Sequence, residues 1–100
     1  MNRIISDNME KIKALCASRK VRSLSAFGSV CTEQFSPASD IDLLIAFQPM
    51  DFGDYADNFF RLAEELEQLF QRKVDLLTEN SLANPFFIEA VNRSKVKLYG

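Results

Sequence analysis

Two carboxylates lie close together in an apolar stretch of the sequence, at Asp40 and Asp42. Residues 40–45 read Asp-Ile-Asp-Leu-Leu-Ile, a run that predicts a β-strand. Because successive side chains of a strand point to opposite faces, both carboxylates should share one face, about 6 to 7 Å apart. Like charges at this separation repel one another, and the apolar neighbours leave them little water. A bound divalent cation would remove that conflict.

Magnesium suits this pair of carboxylates, since Mg²⁺ takes oxygen ligands, keeps several waters and commonly binds one or two carboxylates together with substrate phosphates. Two such ions about 3.5 to 4 Å apart can activate an attacking hydroxyl and stabilise the leaving phosphate oxygens. This chemistry requires a third carboxylate nearby. Asp75 is the best candidate, because it lies in the strand-like run Lys-Val-Asp-Leu-Leu at residues 73–77. If the two strands pair side by side, we expect the three carboxylates to converge.

A Gly-Ser pair at Gly28 and Ser29 follows another apolar run and would contact the phosphates. Gly28 has no Cβ, so the backbone can turn tightly there and approach a phosphate closely. Ser29 offers a hydroxyl and an N–H group at a predicted helix start, where anions bind. The dipeptide is common in turns and carries little information alone. The spacing of 40 − 29 = 11 positions between Ser29 and Asp40 makes the joint pattern far more specific.

This joint pattern resembles that of the minimal nucleotidyltransferases of the DNA polymerase β-like superfamily. Those proteins carry Gly-Ser, then Asp-x-Asp at this distance, and later a lone Asp on another strand. The resemblance extends over essentially the whole chain, including its closing segment 84–99. It implies a nucleotidyltransferase fold, ATP as substrate and two Mg²⁺ ions as cofactors. The implied nucleotide-binding residues are Gly28, Ser29, Thr32 and Ser39, and the implied catalytic and metal-binding residues are Asp40, Asp42 and Asp75.

The resemblance also implies a partner. Minimal nucleotidyltransferases are often encoded beside a helical protein of the HEPN type, and the two form a toxin–antitoxin pair. We therefore expect an antitoxin that transfers AMP to a hydroxyl of a HEPN-type partner, with a Tyr side chain as the acceptor. Many family members have Arg directly after Gly-Ser, Arg again two positions later, and then Gly. This chain has Val30, Thr32 and Glu33 at those positions.

The departures from the family pattern keep a second interpretation open. In that interpretation the chain is a non-catalytic binding module of the same ancestry, which neutralises a partner by covering it. A homodimer without a ligand is also compatible with the sequence. Each acid has a structural alternative as well, since Asp40 can cap a turn, Asp42 can be exposed on a half-buried sheet, and Asp75 can be a solvent-facing acid on an edge strand.

The rest of the sequence predicts the elements that position these residues. Apolar periodicity and capping signals predict helices over residues 2–18, 29–34, 54–71 and 84–92, and strands over residues 21–27, 40–47, 73–77 and 96–99. Asp54 is the expected N-cap of the third helix. In that helix Phe60 falls outside the apolar arc, so it is either packed at the edge of the core or a partner contact. We predict one α/β domain of the α+β kind over residues 1–100, with helices packed on a small mixed sheet.

Composition excludes several functional classes. The chain is 47% hydrophobic and 26% charged, as expected for a globular protein. Its net charge of −2 argues against a broad basic surface for nucleic acid. No signal peptide is apparent, and no apolar run approaches the roughly 18 residues that span a membrane, so we expect a cytoplasmic protein. With Cys16 and Cys31 but no His, a zinc site lacks most of its usual ligands.

Overall fold

Four β-strands form one sheet in the computed structural model, which describes residues 2–100. The strands are β1 (Val21–Phe27), β2 (Ile41–Phe47), β3 (Val74–Thr78) and β4 (Val96–Tyr99). Their spatial order is β3-β2-β1-β4. Strand β1 is antiparallel to both β2 and β4, whereas β2 is parallel to β3. The sheet is therefore mixed, which confirms the predicted fold class.

Helices cover both faces of the sheet. They are α1 (Arg3–Ser6), α2 (Met9–Ser18), α3 (Phe52–Phe70) and α4 (Pro85–Ser94). Helices α1, α2 and α3 pack on one face, where the main hydrophobic core lies. Helix α4 packs on the other face, where Val91 forms a smaller cluster with Phe27 and Leu44. Within residues 2–100, no helix is both long enough and apolar enough to cross a membrane.

The first predicted helix is interrupted, so its prediction as one element is wrong. Helix α1 ends at Ser6 and α2 begins at Met9. The Asn8 side chain donates a hydrogen bond of 2.8 Å to the carbonyl oxygen of Ile4, which replaces a bond that the continuing helix would make. The apolar stripe is continuous across the interruption, because Ile5 of α1 and Ile12 of α2 are both fully buried.

Helix α3 begins earlier than the sequence predicts. Its N-cap is Asp51, whose carboxylate accepts a 2.8 Å hydrogen bond from the N–H of Asp54. Asp54 is therefore a first-turn residue rather than the N-cap, and the prediction was wrong by one turn. A carboxylate in the first turn is also favourable next to the positive end of the helix dipole, so the sequence signal at Asp54 had a second cause.

The remaining boundaries shift by a few residues. The short helix predicted over residues 29–34 is a single 3₁₀ turn, Gly28–Cys31. Strand β2 begins at Ile41 rather than at residue 40, and β3 covers Val74–Thr78 rather than residues 73–77. Helix α4 continues two residues beyond the predicted end and carries the expected Asn84 N-cap with Pro85 at its first position.

Both cysteines are free thiols. Cys16 is buried in the main core, and this burial raises the pKa of its thiol to about 12. Cys31 is half-buried, and burial raises its pKa as well. Both side chains therefore favour the protonated thiol at neutral pH.

The apolar arc of α3 is confirmed, and Phe60 lies outside it. Leu62, Leu66 and Phe70 are buried against the sheet. Phe60 is 69% exposed, and its ring meets the neighbouring Phe59 edge-on at 5.4 Å between centroids. Phe60 thus packs on Phe59, and most of its side chain is exposed and available to a partner.

We expect Phe60→Ser to leave the chain folded and to lower the free energy of unfolding by less than about 1 kcal/mol, because its side chain is largely in water already. Phe59→Ser is the matched control, since Phe59 packs against the main core and its loss should cost about 2 kcal/mol. Chemical denaturation of both variants measures the difference. An equal loss for the two variants would assign Phe60 to the core.

Candidate active site

A row of three residues crosses one face of the sheet, near the ends of the strands where β1 stops and β2 and β3 begin. The row consists of Phe27, Asp42 and Asp75. The antiparallel register places Phe27 of β1 opposite Asp42 of β2, and the parallel register places Asp42 beside Asp75 of β3. Side chains of directly opposed strand residues lie on the same face. Asp42 therefore has an aromatic ring on one side and a second carboxylate on the other. The structure brings Asp42 and Asp75 together as the sequence led us to expect.

Gly28 makes the closest approach to this row. Its φ angle of +74° lies in the left-handed region that L side chains rarely adopt. A Cβ atom on Gly28 would lie 2.6 Å from Oδ2 of Asp42, well inside van der Waals contact. The carboxylate therefore rests against bare backbone, and glycine is required here for two independent reasons.

Asp40 lies just before β2 and is exposed. The loop that leads to Asp40 is held by Arg72, a residue distant in sequence that follows α3. The Arg72 guanidinium donates hydrogen bonds of 3.0 Å to the carbonyl oxygens of both Ser36 and Ser39. It also lies 4.5 Å from the centre of the Phe35 ring, a cation–π distance. Arg72 is thus a positioning residue for Asp40 that the sequence analysis did not identify.

Ser39 and Thr32, both predicted to bind nucleotide, already make local hydrogen bonds. The Ser39 hydroxyl accepts a 3.1 Å bond from the Ser36 N–H and lies 3.2 Å from the Ser36 hydroxyl. The Thr32 hydroxyl donates a 3.0 Å bond to the carbonyl oxygen of Ser29 and accepts one from the N–H of Gln34. These contacts shape the two loops that border the carboxylates. A nucleotide-binding role for either residue stays a prediction.

Val30 explains part of the departure from the family pattern. Its side chain is only 1% exposed and belongs to the main core. A charged group buried here without a partner would be costly, so an apolar side chain suits the packing of this turn. Ser29, next to it, is half-buried within the same turn.

The electrostatics of the row centre on Asp42. Partial burial raises the pKa of its carboxyl group, and the neighbouring carboxylates of Asp75 and then Asp40 raise it further. Both neighbouring acids therefore lie near enough to Asp42 for their charges to act on it. A positive charge placed beside Asp42 would favour its ionised form.

The donor set of this region fits magnesium, because it offers carboxylate oxygens. Within residues 2–100, no three side chains of His, Cys, Asp or Glu lie close enough together to hold a metal ion. The acids therefore do not form a ready-made cage. Mg²⁺ is usually bound by one or two carboxylates and completed by waters and substrate phosphates. Asp42 and Asp75, which the strand register makes neighbours, supply a carboxylate pair of that kind, and metal binding by them and by Asp40 stays a prediction.

An aromatic pair borders the row on the side of β1. The Phe87 ring of α4 meets Phe27 in a T-shaped contact, with centroids 6.1 Å apart and planes at 79°. Phe87 remains 42% exposed. No local pattern indicates this contact, because it joins residues 60 positions apart. It could have been suspected only from the apolar Phe-Phe pair directly after the predicted N-cap of α4.

Gly28→Ala should lower the free energy of unfolding by about 1 to 2 kcal/mol, because Ala is strained in the left-handed region, and should displace the Asp42 carboxylate as well. Gly53→Ala is the control. Gly53 lies in the first turn of α3, where a Cβ meets only Asp51 at an ordinary 3.6 Å. That variant should be as stable as the wild type or slightly more so. Equal stability of both variants in denaturation would contradict the proposed role of Gly28.

Asp42→Asn should raise the melting temperature at pH 7. A carboxyl group with a raised pKa in the folded state stabilises the fold only below its unfolded pKa of about 3.9, and this stability is lost as the pH rises through the folded pKa. The gain of the Asn variant should therefore be present at pH 7 and should vanish near pH 3. Asp57→Asn, which removes an exposed ion pair with Arg61, should show no such gain. A lower melting temperature for Asp42→Asn at pH 7 would show that the carboxylate is structural.

Comparison with known proteins identifies the family. The chain matches the family described as "Polymerase beta, Nucleotidyltransferase" over residues 10–100. Two relatives from Methanocaldococcus jannaschii, whose names describe them as candidate protein adenylyltransferases, are 28% and 31% identical over 93 residues. Each of these alignments covers 92% of this chain and 92% of the relative.

Solved structures agree with this assignment. A structure described as a candidate minimal nucleotidyltransferase has a TM-score of 0.73 and 33% identity, and covers 96% of this chain and 95% of its own. A toxin–antitoxin structure with AMP-PNP has a TM-score of 0.70 and 26% identity, with 93% and 73% covered. A tri-AMPylated HEPN toxin of Shewanella oneidensis in complex with its MNT antitoxin has a TM-score of 0.63 and 26% identity, with 95% and 71% covered. The sheet, the row of acids beside Gly28 and these similarities lead to one conclusion: the chain belongs to the polymerase β-type nucleotidyltransferase family.

Proposed function

We propose that this chain transfers AMP from ATP to a hydroxyl group of a HEPN-type partner, and that it acts in this way as an antitoxin. The observation that carries the proposal is the position of the Asp42 carboxylate, which lies beside Asp75 in the strand register and against the backbone of Gly28. Two carboxylates therefore lie beside a point at which a phosphate could approach the backbone closely. The similar complex of an AMPylated HEPN toxin with an MNT antitoxin supports the same reaction and partner class.

Gly28 and Ser29 are the residues that would bind the triphosphate. The absence of a side chain at Gly28 allows a phosphate to approach the backbone, and the Ser29 hydroxyl and N–H lie in the turn that follows. Neither residue carries charge, and Glu33 at the end of this loop is negative and exposed. We therefore expect slow turnover, because charge-assisted hydrogen bonds to phosphate are stronger than neutral ones.

Asp40, Asp42 and Asp75 would hold the two magnesium ions. When bound, Mg²⁺ supplies charge neutralisation on the triphosphate and a lower pKa for the attacking hydroxyl. The contribution of the protein is to fix the carboxylates. Asp42 is fixed by its strand and by Gly28, whereas Asp40 is positioned through the loop that Arg72 fastens. Asp75 is exposed on β3, where an acceptor can reach it.

The reaction exchanges one phosphorus–oxygen bond for another. The acceptor oxygen bonds to the α-phosphorus of ATP, and the bond from that phosphorus to the oxygen bridging the β-phosphate breaks. Pyrophosphate leaves with the electron pair of that bond. The hydroxyl proton passes to the carboxylate of Asp75, which lies beyond Asp42 on the side away from Gly28. Positioning and electrostatic stabilisation contribute most of the catalysis in reactions of this type.

A binding module without catalysis is the second candidate function. It is favoured by the exposed Phe60 and by Val30, a buried apolar residue at the position where many family members carry Arg. In this case the chain would neutralise its partner by contact alone, and Phe60 would be an anchor of the interface. The experiment below separates the two functions.

Incubation with ATP, Mg²⁺ and a HEPN-type protein that binds this chain should add about 329 Da to the partner for each AMP transferred. Intact-mass spectrometry measures the product. Asp75→Asn should slow the transfer at least about 100-fold, as expected for loss of a general base, while ATP affinity changes little. Asp57→Asn, far from the row on α3, should transfer normally.

Calorimetry with the same partner supplies the control for binding. Phe60→Ser should weaken association, with a loss of about 2 kcal/mol if its ring is an anchor of the interface. If the wild type binds the partner but adds no mass to it, the enzymatic proposal is wrong and the non-catalytic binding module is the function that remains.

A further inference from the structure

One aromatic side chain beside the row has no role in the reaction described above. Phe87 contacts Phe27 edge-on, and Phe27 lies opposite Asp42 and directly before Gly28. The exposed part of the Phe87 ring, 42% of the side chain, therefore borders the site on the side of β1.

The geometry of the transfer decides which part of a substrate can reach Phe87. In phosphoryl transfer the attacking and leaving oxygens lie roughly in line on opposite sides of the phosphorus. With pyrophosphate at Gly28 and Ser29, the acceptor must approach from the side of Asp75 and β3. The acceptor is thus kept away from Phe87 by the width of the row. The nucleoside branches off that line at the α-phosphate.

Helix α4 borders the side of the site that neither the pyrophosphate nor the acceptor would occupy. It lies across the same face of the sheet as Asp42, packs Val91 against Phe27 and Leu44, and presents Phe87 next to the Gly28–Cys31 turn. An aromatic ring is a suitable surface for any nucleobase, since every base has a π-face to stack on it.

We propose that Phe87 is the residue on which the base of the bound nucleotide stacks. This inference rests on the proposed function, because it concerns the ATP of that reaction. It assigns the adenine ring to the β1 side of the row and the acceptor to the β3 side. Stacking of this kind selects for a nucleoside triphosphate over a bare polyphosphate without distinguishing strongly among bases.

A fluorescent variant tests the contact directly. The chain contains no Trp, so Phe87→Trp introduces a single indole. ATP with Mg²⁺ should change the fluorescence of this indole by stacking, whereas tripolyphosphate with Mg²⁺ should leave it unchanged. Phe52→Trp is the matched control, because Phe52 is an 86% exposed ring at the start of α3. Its indole should respond to neither ligand.

Calorimetry with Phe87→Leu provides an independent measurement. Leu retains apolar packing against Phe27 but has no π-face, so we expect ATP affinity to fall about tenfold and tripolyphosphate affinity to stay the same. Equal affinity losses for both ligands, or an indole at position 87 that ATP does not affect, would overturn the inference. Failure of AMP transfer with the stacking response intact would instead overturn the proposed function alone.

Discussion

The contact between the Asp42 carboxylate and the bare Cα of Gly28 is the constraint on which the site depends. Any other residue at position 28 would put its Cβ 2.6 Å from a carboxylate oxygen and would have to adopt a left-handed φ of +74°. The same contact joins the two halves of the site. The backbone that would approach the phosphates and the carboxylate that would bind the metal are therefore held in one geometry.

The other acids are positioned by more distant parts of the chain. Asp75 reaches Asp42 only because β3 pairs in parallel with β2, a connection that α3 makes possible by crossing the opposite face. Asp40 depends on Arg72, which joins the end of α3 to the loop before β2. Helix α3 thus contributes no side chain to the row, yet two of the three carboxylates depend on it.

Sequence reasoning recovered the features whose signals are local. The strands, the apolar arc of α3 and the pairing of Asp42 with Asp75 follow from periodicity and from residue type. It failed at two helix boundaries, where side-chain to backbone hydrogen bonds within one turn decide the outcome. The amide of Asn8 ends α1, and the carboxylate of Asp51 begins α3 ahead of Asp54. The burial of Val30 depends on tertiary packing instead. The roles of Arg72 and Phe87 had no local signal, because their partners are tens of residues away.

Strand β3 lies at the edge of the sheet, and Asp75 therefore also affects how this edge can pair with other molecules. Within the described residues, β3 pairs only with β2, so its outer side presents unpaired backbone N–H and C=O groups. An open edge of this kind is a template for pairing with a strand of another molecule, and a charged side chain is one of the features that oppose it. The strand is short, with five residues, and carries its exposed carboxylate at the second position. The charge that the proposed site requires would therefore also oppose self-association through the edge of the sheet.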